Sequence, residues 1–150
     1  MEYTVLPKTA AVTMAAGTTL DMGGLTQTVA SFAGAGTVAN GSLKTTGDLV
    51  ATGNLTIQAV EGQTYTLSTG RSDVVTFTGA ATGYFVQPQD GVDAASRFAV
   101  PNGLTVGFDR DGDFDVTIIN APTKWTLSAH AGAEATTYRI GSYPFRLYLR

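Results

Sequence analysis

Ser42-Leu-Lys-Thr-Thr-Gly47, Asp48-Leu-Val-Ala-Thr-Gly53 and Asn54-Leu-Thr-Ile-Gln-Ala59 are three consecutive six-residue units that set Leu43, Leu49 and Leu55 in register with glycines at 41, 47 and 53. Each unit holds one apolar anchor, polar residues that favour extended backbone, and a turn residue. A short strand followed by a corner satisfies that pattern, and such units stack into β-solenoids. Upstream, the runs 18–22 and 25–32 alternate in the same way between glycine turns at 23–24 and 34–36. Apolar side chains there recur at a spacing of two (Leu20 and Met22; Leu25 and Val29, with Gln27 between), and each glycine would cost a helix about 1 kcal/mol. Strands, not helices, are expected.

Composition narrows the class of protein. The chain has 150 residues, 43% of them hydrophobic, enough for a folded domain with a core. Only 14% are charged, against about 25% in an average soluble protein, while glycine and threonine are abundant. The absence of cysteine excludes disulfides, thiolate metal sites and a cysteine nucleophile. A net charge of −3 with nine scattered Lys and Arg offers no basic stripe for a phosphate backbone, so no nucleic-acid partner is expected. No run of about 18 apolar residues offers a membrane-spanning helix, and the opening Met-Glu-Tyr-Thr-Val-Leu-Pro-Lys lacks the features of a signal peptide. The expectation is a fragment of a larger exported chain.

The packing style changes near residue 60. Residues 1–60 carry five charged side chains and two aromatics, whereas the remaining 90 carry 16 and 12. Residues 1–60 are therefore read as Gly/Thr-rich solenoid rungs and 61–150 as an aromatic-rich β region or cap, together one structural unit. Longer, mostly antiparallel strands are expected in the second part. Val92 to Phe98 offers the one candidate for a helical turn. Leu104–Phe108 and Phe114–Ile119 are expected to form a hairpin about Asp111-Gly112. Phe145–Leu149 is expected as a final strand that guards the sheet edge with charge.

The segment Gly17-Thr-Thr-Leu-Asp-Met-Gly-Gly-Leu-Thr-Gln-Thr-Val-Ala-Ser-Phe-Ala-Gly-Ala-Gly-Thr-Val-Ala-Asn-Gly-Ser-Leu-Lys-Thr-Thr-Gly47 resembles the autotransporter-associated β-strand repeat of bacterial surface proteins. The likeness lies in a Leu-Asp-x-Gly-Gly turn, a Gln-Thr-Val-x-Ser strand, a Gly-x-Gly-Thr-Val step and an Asn-Gly-Ser-Leu step, and covers about residues 17–58. The resemblance implies parallel β-solenoid rungs in a passenger-type exported protein. Residues 45–57 also resemble fibre shafts, which would imply a trimer.

Chemistry-bearing residues are few. Asp109, Asp111, Asp113 and Asp115 would share one face of an extended strand, an arrangement that suits a hard cation such as calcium. The spacing is not that of an EF-hand, because Gly112 follows the second aspartate and Asn120 stands at the twelfth position. A solvated turn partly neutralised by Arg110 is the plainer reading, and no metal or cofactor is assigned. No carboxylate pair stands out for glycoside hydrolysis among this cluster, Asp73, Asp90, Asp93 and Glu134, and the single His130 sits in a small-residue context. Trp125, Tyr143 and Tyr148 are the candidates for stacking on a sugar, with Tyr138 and Phe145 nearby and core packing as the alternative for all of them.

The fold expected is all-β: parallel β-helix (solenoid) rungs, right-handed, with an aromatic-rich β cap, and a β-sandwich in the second half as the alternative. The function expected is a non-enzymatic stalk, cap or adhesive segment at the surface of a bacterium or secreted from it, with possible end-to-end self-association. A host or environmental glycan or matrix protein is the partner class. A carbohydrate-binding module is the alternative, followed by a polysaccharide-active enzyme fragment.

Overall fold

The computed structural model describes residues 6–79, 81–89 and 96–142. It is an all-β solenoid of about 4 turns, with no helix among the described residues. The first coils use β1 (Ala11–Met14), β2 (Thr19–Val29), β3 (Ser31–Thr45) and β4 (Asp48–Gln58). Then come β5 (Thr64–Thr69), β6 (Val75–Thr78), β7 (Tyr84–Pro88) and β8 (Ser96–Pro101), and every pairing among these eight strands is parallel.

The six-residue unit is one side of a coil. Leu43, Leu49 and Leu55 fall on successive sides, facing Gln27, Phe32 and Gly36 of the coil before. All three are at most 1% exposed, and burying a leucine contributes about 1.5–3 kcal/mol. The coils lengthen along the chain: Leu25 pairs with Gly41, a step of 16 residues, whereas Val75 pairs with Phe98, a step of 23. β3 turns its corners at Gly36 and at Asn40-Gly41. At Gly41, φ is 142°, and a Cβ would collide with the carbonyl of Leu25 in the neighbouring coil, so this corner accepts glycine alone. Asn40, at φ 50°, donates from its side chain to Asp21 Oδ1 at 3.1 Å, and the same oxygen accepts the Gly23 N–H at 2.8 Å.

One hydrophobic cluster runs from Met14 to Ile140 without a break at residue 60. Leucine and valine fill the early coils. Tyr65, Phe77, Tyr84 and Phe98 fill the wider later ones, with ring centroids 4.8–6.3 Å apart. The longer coils follow from the larger side chains they enclose.

Three expectations for the second half are corrected. Its strands are mostly parallel. β9 (Val106–Phe108) and β10 (Val116–Ile118), expected as a hairpin, also run parallel, with Val106 opposite Val116 and Phe108 opposite Ile118. The chain turns the full corner at 109–115, and β10 slots between β7 and β9. Phe98, placed in a candidate helical turn, belongs to β8, and residues 92–95 of that turn lie outside the described residues. Among the described residues antiparallel pairing is confined to β11 (Trp125–Ala131) and β12 (Ala135–Ser142), a hairpin that folds back so that β12 pairs with β8. The final strand expected at Phe145–Leu149 lies outside the described residues.

Candidate functional site

A cleft lies where the last coil meets the start of β11. A tight turn closed by the Trp125 N–H donating to the Pro122 carbonyl, 2.9 Å, launches β11 with Trp125 half-buried at its first position. Facing it are Phe108 at the end of β9 and Phe114 in the following corner. The Phe114 ring lies directly over Gly107, where any Cβ would occupy the ring's place. These residues, with Arg110 and Asp111, border a cleft of about 440 Å³.

Arg110 ties the cleft together. Its guanidinium stacks over the Phe108 ring, 3.8 Å from the centroid, and donates through Nη2 to the Trp125 carbonyl at 3.0 Å and through Nη1 to the Ala121 carbonyl at 3.4 Å. Its Nε lies 3.9 Å from Asp111 Oδ1. The arginine therefore fixes the corner to the hairpin and presents one carboxylate at the rim. With the buried Phe108 ring covered by Arg110, the Phe114 ring, the Trp125 indole and a carboxylate on a shallow surface suit an uncharged, hydroxyl-bearing ligand, which stacks its C–H face on aromatics and offers hydroxyls to polar neighbours.

The four aspartates do not share one face. The 109–113 stretch is a corner, not an extended strand, so side-chain alternation is lost. Asp109, Asp111 and Asp113 are exposed, whereas Asp115 turns back on the preceding segment. Its Oδ2 accepts the N–H and the hydroxyl of Thr105, both at 2.7 Å, and the Asp115 N–H donates to the Thr105 hydroxyl at 3.2 Å. The bond from the Thr105 backbone, then that from its hydroxyl, holds the Asp115 carboxyl below the usual carboxylate range. Among the described residues no three His, Asp or Glu side chains gather as metal ligands.

Trp125 is thus in the cleft, whereas Tyr143 and Tyr148 lie outside the described residues, as do Phe145, Asp90 and Asp93. Tyr138 packs inward, stacked on Phe98 with centroids 5.6 Å apart. His130 and Glu134 are exposed and away from the cleft, and Asp73 packs over Gly70. Phe108, Phe114 and Arg110 as cleft residues were missed from sequence. The spacing Phe108-x-Arg110 was the available signal, but only the parallel return of β10 brings these side chains against Trp125.

The chain matches no family model, no curated protein and no solved structure.

Proposed function

We propose that the chain is a non-enzymatic structural or adhesive segment of a bacterial surface or secreted protein, a stalk or cap of the autotransporter-passenger kind. The observation that supports this reading is a ladder on the outside of the solenoid: Thr19, Thr37, Thr56 and Thr76 stand on four successive parallel strands at one register. Cross-strand threonine pairs stabilise a sheet, carry no reactive group and keep a surface soluble without charge. A largely apolar core inside and a hydroxyl face outside make a spacer that depends on stacking alone. Immunolabelling of intact cells of the source organism should light up the chain, and protease shaving should release it. Labelling only after permeabilisation would overturn the reading. At the first coil, β1 and β2 each pair with β3 alone among the described residues, and β2 and Leu6 border an apolar hollow that includes exposed Leu25. This end is the natural place for self-association, to be read by sedimentation equilibrium.

The cleft favours a second reading, a carbohydrate-binding module. Trp125 is the sole tryptophan, so its fluorescence reports the site directly. A panel of neutral glycans should include one that shifts its emission, and Phe114→Ala should weaken that ligand by about tenfold or more, the scale of one aromatic contact. A blank across the panel, or a response unchanged in Phe114→Ala, rejects the module and leaves the structural role.

A further inference from the structure

The outer face of the β8–β12–β11 sheet carries an unbalanced pair of cations. Arg97 on β8 and Arg139 on β12 are direct cross-strand partners. Their neighbours in sequence, Phe98 and Tyr138, stack against each other inside, so alternation turns both guanidinium groups outward. Ser128 stands opposite Arg139 on β11, and His130 stands opposite Thr137. With Val74, these residues border a groove of about 300 Å³ that has no carboxylate among its described lining residues.

Like charges placed directly opposite each other destabilise a sheet. Twelve acidic residues were available to this chain, yet the sole ion pair among the described residues is Arg110 with Asp111. Asp73, next to Val74 in sequence, turns its carboxylate over Gly70 instead. The strand carrying Arg97 is well held: the Arg97 N–H donates to the buried Thr69 hydroxyl at 3.0 Å, and the Ser96 hydroxyl donates to the Leu67 carbonyl at 3.1 Å. Two guanidinium forks on a fixed backbone, with two hydroxyls and an imidazole able to donate beside them, form a cationic, donor-rich surface.

We infer that this groove binds an oxyanion, a sulfate or carboxylate group carried on an acidic polysaccharide, between the forks of Arg97 and Arg139. Guanidinium matches such groups with two parallel N–H···O bonds, and one anion between two cations converts their repulsion into attraction. Nucleic acid is disfavoured because the chain is acidic overall and the described groove lining holds no cation beyond these two arginines. The site lies on the face of β11 opposite Leu127 and is independent of the Trp125 cleft.

The test titrates the protein with inorganic sulfate, dextran sulfate, polygalacturonate and neutral dextran, by amide and Arg Nε–H chemical shifts and by Tm. The first four arms use the wild type, and each is repeated with Arg97→Gln/Arg139→Gln and with Trp125→Ala. Sulfate stabilises proteins in general by exclusion, so the double variant at matched ionic strength is the reference. Expected are saturable shifts at Arg97, Arg139 and Ser128, tighter binding of a charged polymer than of the free ion, no response to neutral dextran, and about tenfold or greater weakening in the double variant. Trp125→Ala should leave all of this unchanged. Saturable sulfate binding without polymer binding would reduce the site to a free-ion site and overturn the polysaccharide assignment. Equal responses of wild type and double variant would overturn the site itself. Both arginines are surface-facing, and far-UV circular dichroism of the double variant establishes that it is folded.

Discussion

Two tyrosines in the same core show how one hydroxyl can help and another hinder. Tyr65 Oη donates to the Leu43 carbonyl at 3.2 Å and accepts the Val60 N–H at 3.1 Å, so it ties one coil to the next. Tyr84 Oη is buried with no hydrogen-bond partner among the described residues. Removing the first leaves two backbone groups unpaired, and removing the second relieves an unmet desolvation cost. Tyr65→Phe should therefore destabilise by about 1–3 kcal/mol and Tyr84→Phe should be neutral or stabilising, as read from urea midpoints. Burial, only partly offset by the Val60 N–H, pushes the Tyr65 hydroxyl up to about 12; burial, then the nearby Tyr65 and Tyr138, raises Tyr84 further. Above pH 10, the ordinary tyrosine value, the unfolded chain releases protons that the fold retains, so stability is full below that pH and falls as pH rises toward 12. Phe at either position should shrink that alkaline loss. The cross-coil bond of Tyr65 depends on Leu43, 22 residues away, and was invisible in the sequence.

At the scale of elements, the instructive segment is 104–118. Asp-Gly between two apolar runs is a hairpin signal, but the same residues turn a solenoid corner, and local sequence does not separate them. What decides is the partner already in place: β7 offers an unpaired edge whose register with Val116–Ile118 buries Val116 and Ile118 completely. The Asp115–Thr105 clamp then closes the corner. Because its folded value is depressed, the Asp115 carboxylate stabilises above the ordinary Asp range, and the contribution is lost as pH falls through the lowered value. Asp115→Asn should unfold at lower urea than wild type near neutrality, and the gap should close in acid. The second fastening, Arg110, should cost about 1–2 kcal/mol as Arg110→Gln through the lost stacking and backbone bonds, with a change in Trp125 emission as its carbonyl is released. Trp125 was legible as a candidate from its residue type; the cleft around it was not, because it needs β9, the corner and β11 together.

For the whole molecule, the six-residue unit carried the architecture: Leu43, Leu49 and Leu55 do line three successive sides, and glycines do mark where coils approach. Coil length was not legible, since it is set by the aromatic core that later coils enclose. Nor was the outward pairing of Arg97 with Arg139, which arises only when β12 returns antiparallel to β8. The central claim is parallel stacking in register, and the cysteine-free sequence permits a direct test by paired cysteines on the threonine ladder. Neighbouring strands lie about 4.8 Å apart, within the Cα separation a disulfide accepts, whereas two strands span about 9.6 Å, beyond it. Under mild oxidation of the folded protein, Thr37→Cys/Thr56→Cys and Thr56→Cys/Thr76→Cys should each cross-link within the monomer, and Thr37→Cys/Thr76→Cys should not. Failure of both neighbouring pairs, or efficient closure of the distant one, would contradict the solenoid and every site built on it.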